Sequence, residues 1–265
     1  MLTIERIGEI RRVHMSSWRS RSVGYAVSAY LWRGVLIDTG FPSAARELAR
    51  ALDSLRPHAV AVTHWHEDHG GNLELIARRG LPIAASEATV ATLRALPSIG
   101  FYRRAVWGTL APLRSAIALT ELEELELVPS PGHSSDHHVV WDPDSRTLFS
   151  GDLFLGVKVR ALHRSEDPRT HAVSLRRIAA LGPKLMLDAH RGVVPEPESA
   201  LTAKADWIDE MIHAIERRAA EGWSDRAIAR EVLGPRDAVT IITLGDLSRM
   251  HFVKAVRRSS ARRER

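Results

Sequence analysis

The stretch Thr63-His64-Trp65-His66-Glu67-Asp68-His69-Gly70-Gly71 constrains this chain more than any other. Four metal-capable side chains, His64, His66, Asp68 and His69, fall within six positions directly after the β-like run 59–62. In an extended segment, residues two apart project to the same side, so His64 and His66 can reach one ion. Asp68 and His69 follow where the chain turns away, offering a carboxylate and a third imidazole to a second ion. Mixed imidazole and carboxylate donors suit zinc, and also manganese or iron. The competing reading is a solvated histidine-rich loop, which crowds these groups together with nothing to bind them.

Three further motifs each close a β-like run: Pro131-Gly132-His133-Ser134, Ser150-Gly151-Asp152 and Asp188-Ala189-His190-Arg191-Gly192. His-x-His-x-Asp-His, followed in order by Gly-His-Ser, Ser-Gly-Asp and a last His, resembles the metallo-β-lactamase superfamily over residues 4–195. The resemblance implies an α/β fold, the four-layer αββα sandwich. It implies that His64, His66 and His133 hold one metal ion, that Asp68, His69 and His190 hold a second, and that Asp152 bridges them. Asp38, in Asp38-Thr39-Gly40 at the end of a β-like hairpin, would sit behind the metals and orient a ligand histidine through its second ring nitrogen. The plainer alternative is a strand-end Asp that caps its own turn.

At 265 residues the chain is long enough for one large domain and a small appendage. These are expected as a catalytic domain over 1–195 and a helical module over 196–265. Cysteine is absent, which excludes disulfides and thiolate ligands and argues against the β-lactamases of this fold that use a cysteine ligand. No apolar run approaches membrane-spanning length and no charged-then-apolar leader opens the chain, so a cytoplasmic protein without a membrane partner is expected. The net charge of +5 and pI near 10.0 favour acidic partners such as RNA. Only Lys158, Lys184, Lys204 and Lys254 are lysines, so arginine supplies nearly all of that charge.

Residues 4–13 and 25–38 read as β structure, with a turn at Arg33-Gly34. Ser43 is the expected cap of a helix over 44–55, with Ala45, Leu48, Ala49 and Leu52 inward and Pro57 as its stop. Helices are expected over 72–79 and 87–96, around a strand at 82–86. The stretch 97–118 mixes aromatic and arginine residues irregularly and fits either a substrate wall or lid, or a packing insertion or homodimer contact. A strand at 124–128 leads to His133, and a hairpin over 139–149 delivers Asp152. A helix over 168–181 turns Ala172, Leu175, Ile178 and Ala179 inward, and a strand at 184–187 delivers His190. Pro195 and Pro197 mark a boundary. Beyond it Leu201, Ala205, Ile208, Met211, Ile212, Ile215 and Ala219 recur at helical spacing, as a core stripe. Ser224 would cap a second helix to 233 and a third would run over 248–258, together a small winged-helix-like module. The basic tail 257–265 reads as a solvated, frayed end or a nucleic-acid contact.

Two ions sharing a hydroxide lower its pKa toward neutrality and polarise a scissile carbonyl or phosphoryl oxygen. The expected activity is therefore hydrolysis of a small ester, thioester or lactone by a dinuclear zinc-bridged hydroxide whose proton Asp68 orients. His137 is the second catalytic candidate, either supporting the loop that carries His133 or acting on substrate. His163 and His171 read either as pocket-lining or as surface histidines. The motifs are similar to the lactamase-beta-like-2 subgroup, near the glyoxalase II hydrolases, and that subgroup includes an endoribonuclease. A single-strand ribonuclease or phosphodiesterase is thus the alternative, expected to weaken steeply with salt. A mononuclear iron sulfur-dioxygenase on the same scaffold is a third reading. Leu155 stands where quorum-quenching lactonases tend to place a tyrosine, which ranks a lactone below an ester or thioester. Asp188-Ala189 precede His190 where relatives often show Pro-Gly, which alters the loop around an intact ligand.

Overall fold

Successive strand residues alternate between two apolar surroundings, and that alternation builds the layers. Val35, Ile37, Ala59, Ala61, Val140, Phe149 and Leu187 meet in one cluster. Their neighbours Leu36, Val60 and Val62 pack into a second, and Val139, Trp141, Leu148 and Met186 into a third. A period of two with both faces apolar is what a strand needs when it is covered on both sides. The first cluster lies between two sheets, and the others lie beneath the helices outside them.

The computed structural model describes residues 1–235 and 238–263, apart from the side chains of 238 and 261–263. The first half contains β1 (Leu2–Ile7), β2 (Ile10–Met15), α1 (Trp18–Ser22), β3 (Val27–Trp32), β4 (Val35–Ile37), α2 (Ala45–Leu55), β5 (Ala59–Ala61), α3 (Leu73–Arg78), β6 (Ile83–Ala84), α4 (Glu87–Arg94) and α5 (Phe101–Trp107). The second contains β7 (Glu126–Pro129), β8 (His138–Asp142), β9 (Thr147–Gly151), β10 (Leu162–His163), α6 (Pro168–Ala179), β11 (Leu185–Asp188), β12 (Gly192–Val194), α7 (Pro197–Ala220), α8 (Asp225–Val232), α9 (Ala238–Ile242), β13 (Leu247–Ser248) and α10 (Arg249–Arg263). One sheet runs β1-β2-β3-β4-β5-β6 and the other β12-β11-β9-β8-β7, while β10 pairs with β13. With helices outside both sheets, this is the expected αββα sandwich, followed by a helical C-terminal segment.

Ser43 is not the cap of α2. A tight turn over Pro42–Ala44 precedes that helix, whose N-cap position is Ala44, and the Ser43 hydroxyl donates instead to the Trp107 carbonyl at 3.0 Å. The buried face of α2 is Leu48, Ala51, Leu52 and Leu55, with Ala45 and Ala49 only half-buried. Within 97–118, Val106, Trp107, Leu110 and Leu113 are buried in the outer cluster, the packing that one of the two expectations for this stretch requires. Pro197 opens α7 within its first turn, where its missing N–H costs nothing. Leu201, Ala205, Ile208, Ile212 and Ile215 are buried in one cluster with α6, so the stripe is core. Ser224 does cap α8, accepting from the Ala227 amide. The tail is no frayed end as far as it is described: Arg257 pairs with Asp225, and the Ser259 and Ser260 hydroxyls bind Arg169 and Glu216. Glu264 and Arg265 lie outside the described residues. Among the described residues no helix is long and apolar enough to cross a membrane.

Glu74 of α3 fastens the end of the insertion. Its carboxylate accepts from the amides of Arg114 and Ser115 at 2.9 and 3.1 Å and from Arg78 Nε at 2.9 Å. Burial opposes ionisation, but these donors outweigh it and hold the carboxyl at about 2 instead of 4.5. A carboxyl whose pKa falls on folding stabilises fully above its unfolded value and loses that contribution as the pH drops toward its folded one. In metal-free protein, Glu74→Gln is expected to lower the urea midpoint at pH 7, with the gap to wild type narrowing below a pH of about 4.5. An equal gap at pH 7 and pH 3 would contradict this role.

Candidate metal centre

The chain leaves β5 at Ala61 and enters the histidine loop across a carboxylate. Asp38, buried just beyond β4, accepts from the Thr63 amide at 2.8 Å and approaches His69 Nδ1 at 2.8 Å. Its φ of 63° is a conformation that few residues other than glycine adopt, and it aims the carboxylate back at the loop. The Thr63 hydroxyl donates to Asp38, so it can only accept from His64 Nδ1, 3.0 Å away. That fixes the tautomer of His64 and leaves Nε2 as a lone-pair donor. The loop then turns tightly, the amides of His69 and Gly70 both donating to the His66 carbonyl. A Cβ on Gly71 would stand 2.0 Å from the Glu67 carbonyl oxygen, so only glycine fits.

His133 follows β7 and brings Nε2 to 2.9 Å from His66 Nδ1, while its Nδ1 lies 3.5 Å from Glu166 Oε2. Asp152 follows β9, with Oδ1 at 3.1 Å from His69 Nε2 and 3.2 Å from His190 Nε2, and Oδ2 at 3.3 Å from His133 Nε2. His190 follows β11, donates Nδ1–H to the Ala26 carbonyl at 2.7 Å, and has Nε2 at 3.4 Å from Asp68 Oδ2. Two groups result, His64, His66, His133 and Asp152, and Asp68, His69, Asp152 and His190. Within each, the ligand atoms all lie within 4.8 Å of one another. Asp152 belongs to both.

His64 Nε2 is buried without a hydrogen-bond partner among the described residues, and His69 Nε2 and Asp152 Oδ1 face each other at 3.1 Å without an aligned hydrogen bond. An orphan such as His64 Nε2 costs about 1–3 kcal/mol unless something binds it. Burial keeps His64 and His66 well below the usual imidazole range, as neutral lone-pair donors. Burial opposes protonation of His69 and His190 as well, but Asp152 and the other carboxylates lift both well above that range. Converging imidazole nitrogens and a shared carboxylate fit two divalent cations, and without a thiolate the donor set suits zinc, manganese or iron.

His137 is buried with both ring nitrogens in use. Nε2 accepts from the Asp152 amide at 3.1 Å, so Nδ1 carries the proton and donates to Ser130 Oγ at 2.8 Å. It supports the turn that presents Asp152, and burial holds its pKa well below the usual range. His171 is also buried, with Nε2 2.8 Å from the Leu153 carbonyl oxygen, and half-buried His163 lies 3.4 Å from Asp246. Neither joins a ligand group.

Several functional neighbours were not singled out from the sequence. Asp136 accepts from the Trp65 amide, Thr89 Oγ1 and Ser134 Oγ, lacing two ligand loops to α4. Asp188 accepts from the amides of His190, Arg191 and Leu155, and so joins the His190 loop to the turn after Asp152. Glu67, between two ligand positions, is fully buried and paired with Arg103 of α5, whose guanidinium stacks over Trp65 at 5.5 Å. An acid inside the histidine motif and an arginine in the insertion were the available signals.

A model of the metallo-beta-lactamase superfamily matches residues 24–190. The Drosophila melanogaster beta-lactamase-like protein 2 homolog is 29% identical over 180 residues, covering 62% of this chain and 57% of that protein. Thioesterase pkgB of Emericella nidulans is 32% identical over 157 residues, covering 56% of this chain and 39% of the relative. The chain spans about half the length of the curated relatives it matches. A metallo-beta-lactamase from Pontibacter korlensis superposes with a TM-score of 0.61 at 21% identity, over 79% of this chain and 99% of that one, a likeness of fold. Because the family match takes in every one of the two groups' residues and well over half of the sequence, this chain belongs to the metallo-β-lactamase superfamily.

Proposed function

We propose that the chain is a metal-dependent hydrolase that cleaves a small ester or thioester at a dinuclear zinc centre. The observation that carries the reading is two ligand groups meeting at one buried carboxylate, Asp152. The chain's likeness to thioesterase pkgB supports the thioester over the lactone.

In this reading His64, His66 and His133 would hold one ion, Asp68, His69 and His190 would hold the other, and Asp152 would serve both. Two divalent ions, when bound, supply a water of lowered pKa and polarise the scissile carbonyl. Asp38 and the Ala26 carbonyl set the ring orientations of His69 and His190, and Glu166 faces the Nδ1 side of His133 at 3.5 Å. Asp68, whose Oδ2 lies 3.4 Å from His190 Nε2, would offer a carboxylate oxygen to accept the proton of the attacking water. His137 acts through the Asp152 amide and does not touch substrate.

Asp68→Ala is expected to lower kcat by about 10²- to 10⁴-fold, the usual worth of a positioned proton acceptor. Full turnover with normal metal content would remove Asp68 from the chemistry. The reading itself is tested by hydrolysis of short acyl thioesters across a series of metal-depleted and zinc-restored samples. Turnover rising with zinc occupancy is expected. Cleavage of single-stranded RNA that weakens steeply with salt, with no thioester turnover, would replace the reading.

A further inference from the structure

The turn after Asp152 is held from outside the stretch that the family model matches. Lys204, on α7 and 2% exposed, donates from Nζ to the Leu153 carbonyl at 2.9 Å and to the Phe154 carbonyl beside it. His171 of α6 shares the Leu153 carbonyl, and Asp188 holds the Leu155 amide at 2.9 Å. Leu155 itself sits at a φ of 53°, a strained conformation for a branched side chain, followed by Gly156 at 119°. Such a turn persists only where its surroundings over-determine it, and here an ammonium, an imidazole and a carboxylate converge on three residues. Lys204 has no carboxylate within ion-pair distance among the described residues, and burial pushes its pKa down to about 8. A buried ammonium spent on two backbone carbonyls is a poor device for stability alone. Leu201, Ala205 and Ile208 of the same helix are buried in the cluster with α6 and fix where Nζ can reach.

We propose that Lys204 is a positioning residue of the metal centre: carried in by α7, its ammonium holds the turn that aims the Asp152 carboxylate at both ligand groups. The inference rests on the dinuclear reading above, and it makes the C-terminal segment part of the centre's construction.

The test is Zn²⁺ binding by metal-depleted full-length protein in competition with a chelating dye, beside the melting temperature of the same metal-depleted samples. Lys204→Met, apolar and of similar length, is expected to weaken zinc binding by about 10- to 100-fold, as loss of a ligand's orienting partner does elsewhere. Its metal-free melting temperature is expected to stay level or rise. Lys204→Gln keeps one donor, should fall between wild type and Lys204→Met, and carries the test if the methionine variant does not fold. Unchanged zinc affinity with a lowered metal-free melting temperature would overturn the inference, because Lys204 would then only fasten α7. A wild type that binds no zinc would overturn the dinuclear reading and this inference with it, whereas normal wild-type binding matched by both variants overturns this one alone.

Discussion

Asp152→Ala should empty the centre and all but abolish turnover. Among the described residues no other side chain belongs to both ligand groups, so its loss would leave each with three donors and, in the dinuclear reading, would remove the anion between the two cations. Divalent-ion assistance supplies several kcal/mol of charge stabilisation in the transition state. At about 1.4 kcal/mol per tenfold, kcat/KM is expected to fall by about 10³-fold or more. Asp152→Asn keeps the shape but not the charge and should fall nearly as far. Elemental analysis and thioester turnover on the same samples check this, and an alanine variant that retains both metal and rate would contradict the shared-carboxylate geometry. His137 stands behind the same residue but binds only its amide, so His137→Ala should move Asp152 without removing a ligand, with a smaller loss.

The second large effect concerns stability. Glu67 is fully buried, and its two oxygens meet the Arg103 guanidinium in a two-pronged pair. Burial raises the carboxyl's pKa, and the Arg103 charge opposes that shift. Arg103→Ala would strand that carboxylate away from water. Removing one partner of a buried pair costs about 3–5 kcal/mol, against about 0–1 kcal/mol for an exposed pair. For a chain of this size the melting temperature should fall by roughly 6–20 °C. Arg103→Met combined with Glu67→Gln should recover much of the loss, because no charge is then left buried. A drop of only one or two degrees in Arg103→Ala, measured by thermal unfolding of metal-free protein, would mean that water reaches Glu67 when the arginine is gone.

What was legible in the sequence is local in the chain. The ligand histidines and aspartates could be read because each motif is a few residues long and closes a strand whose apolar run is itself visible, as at 59–62 before His64. The core of α6 could be read because Ala172, Leu175, Ile178 and Ala179 repeat at helical spacing. Side chains that hold those ligands in place were not legible. Glu67 meets Arg103 from 36 positions away, Asp136 meets Trp65 from 71, and Lys204 meets Leu153 from 51, with no periodicity to connect them. Short elements were missed for a different reason. The helix α1 has only five residues, too few for an apolar stripe to repeat, although its Ser17 and Ser20 form a capping box. Ser43 misled because a hydroxyl before a helix satisfies the capping rule on paper, while a carbonyl 64 residues away had already taken it.

The most direct test of the account is metal content per chain, measured by elemental mass spectrometry on full-length protein purified without added metal, beside His69→Ala and Asp152→Ala. The account predicts close to two zinc ions per wild-type chain, a loss from one group in His69→Ala, and depletion of both in Asp152→Ala. One iron per chain, unaltered in His69→Ala and accompanied by oxygen uptake, would contradict the dinuclear hydrolase.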